Sequence, residues 1–165
     1  MVRNCGTMGG SVANNDPSAC YPSAVLALDA TIKTNLRSIS SEDYFIGMFE
    51  TALDSNEIIT QITFPIPDKS AYIKFPNPAS RYAMVGVFMA KTGNKVNVAI
   101  TGASENGVFR SSEIENALTA NFTLESIDGL NISSDGLISD IHASSSYRAN
   151  LIKEMAKRAL KEIIT

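Results

Sequence analysis

Met84-Val85-Gly86-Val87-Phe88-Met89-Ala90, then Lys91-Thr92-Gly93-Asn94-Lys95, then Val96-Asn97-Val98-Ala99-Ile100-Thr101: this stretch decides the architecture. Its two apolar arms are short, rich in residues that favour strands, and joined across Thr92-Gly93-Asn94, which reads as a hairpin. In the second arm Val96, Val98 and Ile100 alternate with Asn97 and Ala99, so one side is expected to face a core and the other to tolerate solvent. Just upstream, Tyr72-Ile73-Lys74-Phe75 supplies a third strand, giving an antiparallel meander. Downstream of Arg110 the period changes. Ser111 or Ser112 caps a short helix over Glu113 to Leu118. From Tyr147 to Ile164, Leu151, Ile152, Met155, Ala156, Ala159, Leu160 and Ile163 recur at helical spacing, a stripe built to pack on the sheet. Lys153, Lys157 and Lys161 line the other side, read as a solvated face with pairs such as Glu154 and Arg158.

Towards the N-terminus, Pro65 and Pro67 mark a boundary, so two units are expected, residues 1–66 and 67–165. The strand before that boundary, Ile58 to Phe64, is rich in β-branched residues and puts Ile62 and Phe64 on one face. Thr31 to Leu36 alternates in the way of an exposed or edge strand, and Ser41-Glu42-Asp43 opens a brief helical turn carrying Tyr44, Phe45 and Met48. Asp16-Pro17 is a stop-and-start signal, and after Pro22 the run Ala24 to Leu28 has the composition of a short buried helix. Strands and helices segregated in this way make an α+β fold.

With 165 residues and 44% apolar content, the chain can bury one sizeable core or two small ones. Its 14 basic and 17 acidic residues are dispersed, for a formal charge of -3, which leaves no basic stripe to track nucleic acid. No apolar run reaches the roughly 18 residues of a membrane span, and the N-terminus lacks the layout of a secretory signal. A cytoplasmic protein with reduced Cys5 and Cys20 is expected, since the two thiols form no CxxC or zinc spacing.

The most informative stretch for chemistry is Arg3-Asn4-Cys5-Gly6-Thr7-Met8-Gly9-Gly10-Ser11, within a glycine-rich segment, Val2 to Asn15, read as a loop. Small residues with exposed amides and a hydroxyl make a nest for a phosphate or a ribityl chain. Glycine equally serves a tight structural turn, and both readings stand on the residues alone. The glycine spacing is not that of a dinucleotide fingerprint, and no buried strand precedes it, so Asp29 is not its acidic partner.

The string R-N-x-G-T-x-G-G-S, followed by A-N-N-D-P-S-A and P-x-A-x-L-A-L-D-A, resembles the second FAD-binding loop of the medium subunit of the molybdenum hydroxylases, the carbon-monoxide and xanthine dehydrogenase family. The likeness continues through Glu57-Ile58-Ile59, Tyr72 to Phe75, Ser80 to Val87, His142-Ala143-Ser144 and Tyr147-Arg148, nearly the whole chain. It implies the second lobe of a two-lobed FAD-binding domain, followed by a small domain of three-stranded antiparallel sheet packed with helices. The first lobe, with its own glycine-rich loop, is expected upstream of Arg3 and is not found in this sequence.

The resemblance places Thr7, Met8, Gly9, Gly10 and Ser11 against the diphosphate and ribityl parts of FAD. Asp16 matches the family's D-P, with a helix cap as its plain alternative. A carboxylate common in the family four residues later is replaced by Cys20. Ile59 matches an apolar position near the isoalloxazine, or is core. Lys74 matches a basic position near the ring, or is a strand charge facing water. Tyr82 falls on a loop beside the reactive edge of the flavin, or is a buried core tyrosine. His142, the single histidine, is expected to be structural. Molybdopterin and iron–sulfur clusters are expected on partners, a large molybdenum-binding and a small iron–sulfur subunit. The implied function is electron passage from those clusters through FAD to an acceptor, with a flavin-free interaction domain as the alternative.

Overall fold

The computed structural model describes the backbone of residues 2–165 and the side chains from residue 4 onward. Arg3, at the head of the glycine-rich string, therefore lies outside the described side chains.

The chain opens with α1 (Val2–Cys5) and α2 (Met8–Asn14), so the stretch expected to be a loop is largely helical. Thr7 is the cause. Held in an extended conformation, it accepts the Gly10 amide on its hydroxyl at 3.0 Å and the Ser11 amide on its carbonyl at 3.1 Å. Such a cap offsets the poor helix propensity of Gly9 and Gly10. Asn15 closes α2 in the left-handed region, φ 44, as asparagine can. Next, α3 (Tyr21–Ala27) carries Pro22 in its first turn and buries Val25, Leu26 and Ala27.

The chain continues through β1 (Thr31–Thr34), β2 (Ser38–Ser40), α4 (Ser41–Tyr44), β3 (Phe45–Gly47), β4 (Glu50–Thr51) and β5 (Ile59–Thr63). An antiparallel sheet runs β2-β1-β5, and β3 pairs with β4 in a separate hairpin. Thus β1 is central rather than the edge strand its alternation suggests. Thr34 can be buried there because its hydroxyl lies 3.0 Å from Glu57 Oε1 and accepts the Leu36 and Arg37 amides. Val12, Val25, Ala30, Ile32, Ile39 and Tyr44 form the buried core of this region, with Ile59, Ile62 and Phe64 at its margin.

Beyond Pro67 come β6 (Lys69–Pro76), β7 (Ala83–Thr92), β8 (Lys95–Thr101) and β9 (Phe109–Arg110), an antiparallel sheet in that order. The three expected strands are present, and a two-residue fourth is added beside β8. Three helices follow: α5 (Ser112–Ala120), α6 (Leu124–Asp128) and α7 (Ser145–Ile164). The stripe on α7 packs on β6 and β7, and with Ile114 and Leu118 of α5 it buries Val85, Val87, Met89, Val98 and Ile100 in one apolar core. Two of the three lysines are not simply solvated. Lys153 donates to the Asp128 and Leu130 carbonyls at 2.6 and 2.9 Å, and Lys157 lies 2.6 Å from Asp128, so both tie α6 to α7.

The other face of the sheet is also covered, contrary to the solvent tolerance read from Asn97 and Ala99. Leu26 and Ala27 of α3 pack on Ala99 and Phe88, and the Asn97 amide donates to the Ala27 carbonyl at 2.8 Å. The sheet is thus sandwiched between α5 and α7 on one side and the N-terminal region on the other. Among the described residues, no helix is long and apolar enough to cross a membrane.

Candidate functional site

Where the N-terminal region meets the end of the second sheet, a cleft of about 490 Å³ opens. Gly6 and Thr7 before α2, Met8 and Ser11 on it, Ala19 and Cys20 before α3, and Tyr21 at its start form one wall; Lys74 and Tyr82 form the other. Each arrives by a local rule. Side chains alternate along β6, so Ala71, Ile73 and Phe75 enter the second core while Tyr72 and Lys74 point to the opposite face. The Lys74 ammonium donates to the Arg81 carbonyl at 3.2 Å and stands 3.6 Å from Cys20 Sγ. Tyr82 is presented by a tight turn, in which its carbonyl accepts the Asn77 amide at 2.8 Å and Arg81 takes a left-handed φ of 62. Met8, Tyr21 and Tyr82, at 42, 47 and 46% exposure, bring three half-open apolar side chains to one concavity.

Below the rim, Gly86 leaves room for the Tyr72 side chain: a Cβ there would meet the Tyr72 hydroxyl and come within 2.8 Å of Thr101 Cγ2. Burial first, and the neighbouring Cys20 second, push the Tyr72 phenol well above its usual range, so it stays neutral beneath Cys20. Among the described residues, Lys74 is the one cation lining the cleft, and it is flanked by hydroxyls, a thiol and ring faces.

Of the residues singled out in the sequence, Thr7, Met8, Ser11, Lys74 and Tyr82 converge on this cleft. Gly9, Gly10, Asp16 and Ile59 are not among its lining residues. A Cβ at Gly9 would lie 3.9 Å from Ile59 Cβ, ordinary contact between α2 and the margin of the first core. At Gly10 a Cβ would come within 3.0 Å of Thr7 Oγ1, so glycine keeps the cap compact. Asp16 does not cap α3; its Oδ1 accepts the Ser18 amide at 2.8 Å and shapes the turn leading to Ala19 and Cys20. Tyr21, at the start of α3, lines the cleft as well, and no local sequence signal marks it. His142 is exposed, outside the cleft, and its backbone amide donates to Asp140. Cys5 and Cys20 are both free thiols.

A second cavity, about 390 Å³, lies between the start of α5 and residues 132–137, and holds none of the residues singled out above.

Comparison with known proteins adds to this geometry. Residues 1–67 match the family described as FAD binding domain in molybdopterin dehydrogenase. The chain is 32% identical to the glyceraldehyde dehydrogenase medium chain of Sulfolobus acidocaldarius, over 98% of its own length and 63% of that protein's. It is 27% identical to the carbon monoxide dehydrogenase medium chain of Hydrogenophaga pseudoflava, over 96% and 61%. Among solved structures, carbon monoxide dehydrogenase from Hydrogenophaga pseudoflava lacking the Mo-pyranopterin moiety of its cofactor is similar with a TM-score of 0.81 and 26% identity, over 99% of this chain and 62% of that one. The chain thus spans about three fifths of the length of these relatives.

Proposed function

We propose that the chain is a member of the FAD-binding medium-chain family of the molybdenum hydroxylases, and that the cleft between α2, α3 and β6 holds part of a bound FAD. The observation that carries the reading is convergence. Thr7, Met8 and Ser11, from the segment matched to the FAD-binding family, share one cleft with Lys74 and Tyr82, from beyond that segment. The donor set suits the cofactor. Hydroxyls of Thr7 and Ser11 can exchange hydrogen bonds with a ribityl chain or phosphate oxygens, and the Lys74 ammonium offsets an anionic group. Met8, Tyr21 and Tyr82 offer apolar and aromatic surface to a flat ring and exclude water from it. In this reading Gly9, Gly10, Asp16 and Ile59 support the wall, residues 1–66 form a lobe of the FAD-binding domain, and residues 67–165 form the C-terminal domain.

When bound, FAD supplies the redox chemistry; this chain contributes position and charge. The family assignment supports an oxidoreductase subunit that receives electrons from iron–sulfur clusters and delivers them to an acceptor. Its partners in that role are a large molybdopterin-bearing subunit and a small iron–sulfur subunit.

Titration of the purified chain with FAD, followed by flavin absorbance and fluorescence, tests the assignment. Saturable binding is expected, weakened about tenfold in Lys74→Met, the scale of one charge-assisted hydrogen bond. Absence of saturable binding by the unsubstituted chain, or equal affinity in both Lys74→Met and Tyr82→Ala, would overturn it.

A further inference from the structure

Arg148 sits in the first turns of α7, outside the cleft and only 4% exposed. Its Nη1 donates to two main-chain carbonyls, Met84 at 2.7 Å and Gly102 at 3.0 Å, and its Nη2 pairs with Asp140 at 2.8 Å. Asp140 is itself held by the His142 and Ala143 amides; burial pushes its carboxyl up, but those amides and Arg148 outweigh it and keep it below the usual range. A buried guanidinium is a costly device for stability alone, since an apolar side chain of similar size would often serve as well. What distinguishes this one is where its two carbonyls lead.

Met84 is two residues from Tyr82, on the wall that also carries Lys74. Gly102 leads to the other wall: its amide donates to the Pro17 carbonyl at 2.6 Å, and the neighbouring Thr101 hydroxyl lies 2.7 Å from both the Pro17 and Ala19 carbonyls. Ala19, Cys20 and Tyr21 follow directly as cleft lining. Gly102 has a φ of 81, and a Cβ there would collide with the Ala83 carbonyl oxygen, so the chain can bend this way only at glycine. One nitrogen therefore spans the two strand ends from which both cleft walls depart. We propose that Arg148 is a positioning residue that sets the separation of the two walls, and through it the fit of the ligand. That the ligand is FAD rests on the function proposed above.

The test uses Arg148→Lys, which keeps a charge for Asp140 but loses the forked geometry, and Thr101→Val, which keeps shape but loses the hydroxyl. Leu118→Ala, buried in the second core away from the cleft, controls for general loss of stability. Hydrogen exchange without FAD reads the walls themselves. Arg148→Lys is expected to speed exchange at residues 18–21 and 82–84, Thr101→Val at residues 18–21 alone, and Leu118→Ala at neither beyond its global effect. FAD titration then reads the consequence, with affinity falling about tenfold in the first two variants and the visible circular dichroism of bound flavin altered. Unchanged exchange at residues 18–21 and 82–84 in Arg148→Lys, or faster exchange there with unchanged FAD affinity and dichroism, overturns the proposal; if Arg148→Lys does not fold, Asp140→Asn, which releases the guanidinium from its ion pair, decides it by the same exchange readout. Failure of the unsubstituted chain to bind FAD would remove the functional reading, while exchange would still decide whether Arg148 sets the walls.

Discussion

The region before Pro65 and the region after it are held together by different means. Beyond Pro67, one continuous apolar core runs from Val85 and Met89 in the sheet to Ile152, Met155 and Leu160 on α7. Before Pro65 the core is small, and polar clips complete it. Arg37 forks onto Glu57, with Nε and Nη2 both at 2.9 Å from its oxygens, and the buried Asn15 amide donates to the Gly47 and Glu50 carbonyls at 2.8 and 3.0 Å. The smaller region also borrows cover, because α3 packs on Ala99 and Phe88 of the larger one. At this seam Arg110 reaches Asp29 at 3.1 Å and Glu115 at 2.6 Å, joining the turn after α3 to β9 and α5. The lesson is positional. A packed platform and a clipped-on partner leave a cleft at the end of their joint, where side chains from both can meet a ligand.

The largest expected effect breaks the joint itself. Gly102→Ala combines a left-handed backbone with a collision against Ala83 and is expected to cost about 4 kcal/mol in urea unfolding. Gly136→Ala, with φ 69 but nothing within 4 Å, should cost only about 1 kcal/mol. A similar loss for both would show that the Ala83 contact is not rigid. Next, Ile152→Ala in the platform should lose about 4 kcal/mol, whereas Ile32→Ala in the smaller core, whose thinner packing can relax into the space, should lose about 2 kcal/mol. Equal losses would erase the contrast between the two cores.

The smallest expected effect sharpens the role of the clips. Hydrogen bonds from Arg37, then from the Asp54 amide, hold the Glu57 carboxyl at about 2, below its ordinary 4.5. A carboxylate depressed on folding stabilises fully above its unfolded value and loses that contribution as pH falls through its folded value. Thermal unfolding of Glu57→Gln is therefore expected to show a shallower fall in Tm between about pH 4.5 and pH 2 than the unsubstituted chain. Parallel curves would mean that the clip contributes nothing to acid stability.

Most of the platform was legible because its signals are local: alternation in Val96 to Ile100, the turn at Gly93, and the long stripe on α7. The central place of β1 was hidden, because Thr34 is polar and its burial depends on Glu57, 23 residues away. Likewise Asn97 reads as solvent-facing until α3 is seen to cover it, a contact 70 residues apart. The strands β2, β3, β4 and β9 and the helix α6 were not anticipated, being too short to establish a period. For the site, the resemblance singled out Thr7, Met8, Ser11, Lys74 and Tyr82, which do converge, but nothing local marks Tyr21 or the reach of Arg148. The glycine string was misread as loop because the Thr7 hydroxyl cap outweighs two glycines.

The most direct test is to map FAD onto the chain by amide chemical shifts in a two-dimensional NMR titration. Shifts are expected to cluster at Gly6 to Ser11, Ala19 to Tyr21, Lys74 and Tyr82, on both sides of the seam. Shifts confined to residues away from that cleft, such as Ser111 to Glu113 and residues 132–137 around the second cavity, or none at all, would contradict the placement of the flavin.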